Sequence, residues 1–443
     1  MTHSTDTDLA GWPAPLYDDS LALDAHVAIP GSKSLTNRYL VLAALADGPS
    51  VVRGALKSRD ADLMIAALRK LGAGITEGAQ PGEYHITPIT VGAEVGEVHI
   101  DCGLAGTVMR FIPAVAALVS GLIIIDGDEA ARVRPMKPIL DGLRELGVHI
   151  TDLSNGFLPF EIQATGEVPG GALTVDASGS SQFVSGLLLA SSLYTQGISL
   201  THQGKSVPSL PHIDMTVEVL GEAGVIVENP DRTSWKVSPA PIQARDVTIE
   251  PDLSNATPFM AAALAVGGSV RIADWPAHTT QPGALAPEIF ERMGATCTLA
   301  NGVMTVTGTG VIHGAGDLDL SAAGELAPTF AALAALADSP TTITGIAHLR
   351  GHETDRLAAL AAEITALGGR CTELEDGLHI EPAPLHGGLF HTYHDHRMAT
   401  AGAIIGLKTA GILVENIATT AKTLPGFDVM WQNMLDQHTP RPS

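Results

Sequence analysis

The stretch Pro30-Gly31-Ser32-Lys33-Ser34-Leu35-Thr36-Asn37-Arg38 runs directly into the apolar segment 39–46. A turn glycine, a hydroxyl-rich cap and two fixed cations meet where a helix is predicted to begin. At such a start the first-turn amides lack helical partners and face the positive end of the helix dipole, so an anion is favoured. Ser, Thr and Asn also cap ordinary helices, so one copy of this junction decides nothing. Its repetition does.

Ala/Leu-rich helices are predicted to begin near Thr36, Gly106, Ser180, Asn255, Leu326 and His396. The period of roughly 70 to 75 residues is too long for a solenoid repeat and suits a whole supersecondary unit. β-Branched strands follow at 50–53, 122–126, 197–201, 269–272, 341–343 and 411–415. Amphipathic helices with a glycine stop close most units, at 63–72, 136–147, 215–224, 289–294 and 357–369. Each unit reads strand, buried helix, strand, exposed helix, strands. The first helix is apolar nearly all round, as a helix enclosed between layers must be.

The expected fold is therefore α/β, with two domains that each hold three βαβαββ units around buried parallel helices. A split falls near Ala244-Arg245-Asp246, and a strand at 22–29 is expected to cross to the second domain. The expected boundaries are 32–250 for the first domain, 20–31 plus 251–435 for the second, and a loose tail at 1–19.

The six helix starts carry Ser34-Leu35-Thr36-Asn37-Arg38, Ala105-Gly106-Thr107, Ser180-Ser181-Gln182, Ser254-Asn255-Ala256-Thr257, Gly324-Glu325-Leu326 and Asp395-His396-Arg397. If each domain points its helix starts the same way, two sets of partial positive charge face one another across a cleft. A small polyanion is the expected occupant.

Composition narrows the class. A chain of 443 residues exceeds one core. With 45% hydrophobic, 16% charged and 4% aromatic residues, its interior must be built mainly from Ala, Leu, Val and Ile. A formal net charge of −23 excludes a general nucleic-acid or anionic-membrane face, and makes each cluster of cations informative. Cys102, Cys297 and Cys371 lie far apart with no Cys-x-x-Cys spacing, so reduced thiols in a cytoplasm are expected. No apolar run reaches the length of a membrane span, because 111–125 contains Pro113, Ser120 and Gly121. Residues 1–19 lack the cationic-then-apolar order of a signal peptide.

The six-unit plan, 30–38, 104–110, 178–183, 352–356, Asp395-His396-Arg397 and Thr420-Ala421-Lys422-Thr423 together closely resemble the EPSP synthase family, the 3-phosphoshikimate 1-carboxyvinyltransferases. The resemblance covers about residues 20–430, and the order of six weak motifs makes it specific. It implies two inverse α/β domains that close on their substrates. It also implies transfer of the enolpyruvyl group of phosphoenolpyruvate to the 5-hydroxyl of shikimate 3-phosphate, by a monomer without metal or redox cofactor.

By motif position the resemblance implies that Lys33, Ser34, Arg38, Ser180, Ser181, Ser209, Glu325, His348 and His352 bind shikimate 3-phosphate. It implies phosphoenolpyruvate contacts from Lys33, Gly106, Arg134, Gln182, Arg356, Arg397 and Lys422. Arg suits such work because its planar fork makes paired bonds to carboxylate or phosphate. Glu325 aligns with the family's proton acceptor, in place of the more frequent Asp. Glu353, with Lys33 as competitor, is the candidate for proton transfer at the methylene carbon. A glycine at 106 goes with glyphosate sensitivity, so inhibition is expected. His348 and His352 stand where many members have Asn and Lys, which brings a pH-sensitive side chain to that position. Leu104 and Phe111 also depart from the common pattern.

Four rivals read less well. UDP-N-acetylglucosamine enolpyruvyl transferase presents Lys-Asn at the first motif and a loop cysteine, whereas this chain has Lys33-Ser34 and no cysteine at 127–138. A nucleotide P-loop needs Gly where Ser32 and Val27 stand, and His352-Glu353-Thr354-Asp355-Arg356 lacks the second His of a zinc-protease helix. A non-catalytic anion-binding protein would not need Lys33, Arg134, Glu325, Arg356, Arg397 and Lys422 all intact.

Overall fold

In the computed structural model, which describes residues 11–441, six helices are enclosed by the rest of the chain: Lys33–Leu45, Gly106–Ala116, Gln182–Leu188, Leu253–Val266, Ala327–Ala335 and His396–Gly406. Every residue of Leu253–Val266 and Ala327–Ala335 is buried, which follows from sequences that carry no charged face. The outer helices differ. Arg59–Lys70 starts at Ser58, whose Oγ accepts the Ala61 N–H, carries Asp60 and Asp62 in its first turn and Arg69 and Lys70 in its last, and buries Ala61, Met64, Ile65, Ala67 and Leu68.

The strands repeat one pattern. Glu94–Asp101 pairs parallel with Ser120–Asp126, which pairs antiparallel with Phe160–Thr165, itself in a hairpin with His149–Thr151. Gly171–Val175 with Ile198–His202, and Gly316–Asp319 with Thr341–Thr344, begin two further sheets of this kind. In the remaining four-stranded sheet and the five-stranded sheet the leading strands are exchanged. Leu21–Val27 precedes the Lys33 helix in sequence but pairs parallel with Gly268–Ile272, and Asp246–Thr248 precedes the Leu253 helix but pairs parallel with Ser50–Arg53. The division falls after Asp246–Thr248, a few residues beyond Ala244-Arg245-Asp246 and beside the expected boundary at 250.

The chain divides into two compact units. One holds Pro30–Asp252 and Pro276–Pro282; the other holds, of the described residues, 11–29, Leu253–Trp275 and 283–441. Each has its own apolar core, the first around Phe111, Ile112 and Val184, the second around Phe259, Phe330 and Ile404.

Two expectations change. Of the tail expected at 1–19, residues 1–10 lie outside the described residues, and 11–19 are not loose. Trp12–Pro13 pairs antiparallel with Ile412–Val414, and Tyr17 is buried and donates its N–H to Leu407 O. The sixth unit also ends differently. Its sheet is completed by Trp12–Pro13, and after the helix Phe427–Leu435 the strand His438–Pro440 joins Leu21–Val27.

Candidate active site

In the Pro30–Asp252 unit the Lys33–Leu45 helix is capped by Ser32, whose Oγ accepts the Leu35 N–H at 3.4 Å. Asp252 Oδ2 accepts the Lys33 N–H at 3.1 Å. A carboxylate of the protein thus holds one first-turn amide that the sequence pattern offered to an anion, and the side chains carry the site instead. Lys33 Nζ lies 3.4 Å from the buried carboxylate of Asp60. Arg38 is turned inward. Its guanidinium donates to Thr216 Oγ1, Ser34 O, Ser185 Oγ and His212 O at 2.8 to 3.3 Å and stacks 5.2 Å from the Phe111 ring. Burial pushes its pKa down to about 9. The expected ligand is thus first a brace for the helix that carries Ser34.

The Gly106 helix start gathers three expected residues and one that sequence reasoning missed. A Cβ on Gly106 would sit 2.9 Å from Arg134 Nη2, 3.0 Å from Arg110 Nη1 and 3.1 Å from Gln182 Oε1. Arg134 donates to Leu104 O at 2.9 Å. Arg110 is buried, donates to Gly106 O, Gln182 Oε1 and Pro135 O, and makes no ion pair with a carboxylate among the described residues. Burial, then the neighbouring Arg134, push its guanidinium well below the ordinary value. An anion at this point would relieve both effects. The signal for Arg110 was present in the sequence, as one fixed cation inside an otherwise apolar helix. Ser180 Oγ accepts the Gln182 N–H at 3.2 Å, and Ser181 is buried beside it in sequence. Ser209 sits on a separate loop with φ of 52°, a left-handed conformation that is uncommon for serine.

In the other unit, Ser254 Oγ donates to Glu325 Oε1 at 3.4 Å. A Cβ on Gly324 would lie 2.6 Å from His348 Nε2, so glycine is what admits that imidazole next to Glu325 in the chain. His348 and His352 stand edge to face, 5.7 Å apart. Arg356 is buried and gives Nε and Nη2 to Asp395 at 2.8 and 3.1 Å, while Nη1 lies 3.4 Å from His352 Nδ1. Most of its fork is therefore committed to the protein. Asp395 also accepts the Arg397 N–H at 2.8 Å.

Glu353 lies between Lys422 and His396, with Oε1 3.0 Å from Lys422 Nζ and Oε2 3.0 Å from His396 Nδ1, an imidazole whose pKa burial lowers from its ordinary value. Burial alone would raise its carboxyl, but His396, Lys422 and Arg356 outweigh burial and hold it well below the usual carboxylate range. Glu353, Asp395 and His396 are the one group among the described residues with metal-ligand types close together. Their atoms are bonded to one another and to Lys422 and Arg356, so the group reads as an ion-pair network. All three cysteines are free thiols. Among the described residues no helix is long and apolar enough to cross a membrane.

Repeated α/β units that bury the guanidinium groups of Arg38, Arg110 and Arg356 and carry Lys33 at a helix start fit a protein that holds small polyanions. The family model for EPSP synthase (3-phosphoshikimate 1-carboxyvinyltransferase) matches residues 18–431. The chain is 58% identical over 441 residues to a 3-phosphoshikimate 1-carboxyvinyltransferase of Kocuria rhizophila, covering 98% of each. Two structures of EPSP synthase from Acinetobacter baumannii are similar to it, with TM-scores of 0.75 and 0.74 at 26% and 25% identity. They cover 95% and 96% of this chain, and 97% of each of theirs. The chain belongs to the EPSP synthase family.

Proposed function

We propose how this chain carries out its family's reaction, the transfer of the enolpyruvyl group of phosphoenolpyruvate to the 5-hydroxyl of shikimate 3-phosphate with release of inorganic phosphate. The observation that carries the reading is the buried guanidinium of Arg110 at Gly106, beside Arg134 and with no carboxylate partner among the described residues. Gly106, Arg134 and Gln182 take phosphoenolpyruvate, with Lys33 and, from the second unit, Arg356, Arg397 and Lys422. Lys33, Ser34, Ser180, Ser181, Ser209, Glu325, His348 and His352 take shikimate 3-phosphate, and Arg38 supports them from beneath.

Addition needs a base at the hydroxyl and an acid at the methylene carbon. Glu325 accepts the hydroxyl proton, the oxygen bonds to the middle carbon, and the Lys33 ammonium is the donor fitted to protonate the methylene. Elimination reverses the proton movement. The methyl group loses a proton as the carbon–oxygen bond to phosphate breaks. Glu353, kept ionised by its neighbours, has no proton to supply in the first step and is the candidate to accept this one. Arg134 and Lys422 stabilise the departing phosphate, which takes up the proton held by Glu325, while the proton on Glu353 returns to Lys33. Reduced thiols support a cytoplasmic location, and the glycine at 106, where a Cβ would press on Arg134, Arg110 and Gln182, supports inhibition by glyphosate. A monomer without metal or redox cofactor suffices for this chemistry.

Glu325→Gln tests the assignment of the base. Shikimate 3-phosphate binding persists and turnover falls at least about 100-fold; unchanged turnover overturns it.

A further inference from the structure

Glycine brings the helices Gly106–Ala116 and Gln182–Leu188 together. A Cβ on Gly186 would sit 2.2 Å from Arg110 O, so no other residue allows this approach. The closeness puts Arg110 Nη1 3.2 Å from Gln182 Oε1 and 3.4 Å from Gly106 O, with Nη2 3.3 Å from Pro135 O. Arg110 is only 3% exposed, and its buried Nε has no hydrogen-bond partner among the described residues. Arginine only donates, so the Gln182 atom that faces it must be the oxygen. The Gln182 amino group is thereby turned the other way. Left alone, a glutamine amide can offer either end to a ligand, and only the amino end suits an anion.

We propose that Arg110 is a positioning residue for phosphoenolpyruvate: by holding Gln182 Oε1 it commits the Gln182 amino group to the anion. The inference rests on the placement of phosphoenolpyruvate at Gly106, Arg134 and Gln182. It makes Arg110 part of substrate selection through a second side chain, and gives Gly186 a role in setting the distance between them.

The experiment measures kcat, KM for phosphoenolpyruvate and shikimate 3-phosphate affinity in Arg110→Met, Gln182→Leu, the double variant and Arg134→Met. Arg110→Met raises the phosphoenolpyruvate KM about 10- to 100-fold while shikimate 3-phosphate affinity is retained. The double variant is no worse than Arg110→Met alone, because the first change already removes what Gln182 contributes. Multiplying effects in the double variant overturn the inference. An unchanged KM in Arg134→Met overturns the placement of phosphoenolpyruvate itself, a separate failure. If Arg110→Met does not fold, the same cycle is run with Arg110→Lys, which keeps the buried charge but loses the fork that holds Gln182 Oε1. Gln182→Leu then adds little to the phosphoenolpyruvate KM, and multiplying effects overturn the inference.

Discussion

Asp395 receives both Nε and Nη2 of Arg356, at 2.8 and 3.1 Å, in a pair with almost no access to solvent. Burial alone would lower the guanidinium pKa, but Asp395, with Glu353 and Glu325 behind it, more than reverses this. Removing one partner leaves the other charged and dry. Asp395→Asn is expected to cost about 3 kcal/mol of stability, read from urea unfolding, and to weaken phosphoenolpyruvate binding through displacement of Arg356. Unfolding at the wild-type midpoint would show that the pair is no brace.

The pH dependence of stability tests Glu353. Its folded pKa lies well below the usual carboxylate range, because His396, Lys422 and Arg356 outweigh the cost of burial. A depressed carboxyl contributes its full stability above the unfolded value, and loses it as pH falls through the folded value. Urea titrations at stepwise lower pH should show wild type losing more stability below about pH 4.3 than Glu353→Gln. Parallel curves would mean that Glu353 is not held ionised.

Gly106→Ala places a methyl group 2.9 to 3.1 Å from Arg134 Nη2, Arg110 Nη1 and Gln182 Oε1. All three are side-chain ends that can shift, so the fold should survive. The phosphoenolpyruvate KM is expected to rise about 10-fold or more with kcat less affected, since a displaced polar group loses its bond to the ligand. Steady-state kinetics check this, and an unchanged KM would remove Gly106 from the site.

Ser209 holds a left-handed φ of 52°. Glycine adopts that conformation without strain, so Ser209→Gly is expected to leave stability unchanged or higher while shikimate 3-phosphate affinity falls with the lost hydroxyl. Calorimetric binding together with thermal unfolding separates the two effects. A fall in both would assign Ser209 a structural role instead.

The buried helices were legible because their signal is local. A run of residues apolar nearly all round placed the Gly106 and His396 starts on the first helical residue, and the Ser180, Asn255 and Leu326 starts close to theirs. Gly106, Arg134 and Gln182, grouped in the sequence only by the family resemblance, lie together in the fold. What sequence hid was pairing between distant elements. Asp252 lies 219 residues from the Lys33 amide it caps, Asp60 belongs to a different helix from Lys33, and neither spacing is periodic. Of the two exchanged strands, the crossing at 22–29 was expected, whereas the pairing of Asp246–Thr248 with Ser50–Arg53 is hidden for the same reason: a strand's pattern reports its burial and not its partner. Arg38 and Arg356 were legible as important cations, but burial decided that most of their donors face the protein.

The most direct measurement is inorganic phosphate release from phosphoenolpyruvate with shikimate 3-phosphate, run beside the same assay with UDP-N-acetylglucosamine as acceptor. Release with shikimate 3-phosphate alone is the predicted result. Release with UDP-N-acetylglucosamine alone, or with neither acceptor, would contradict the account.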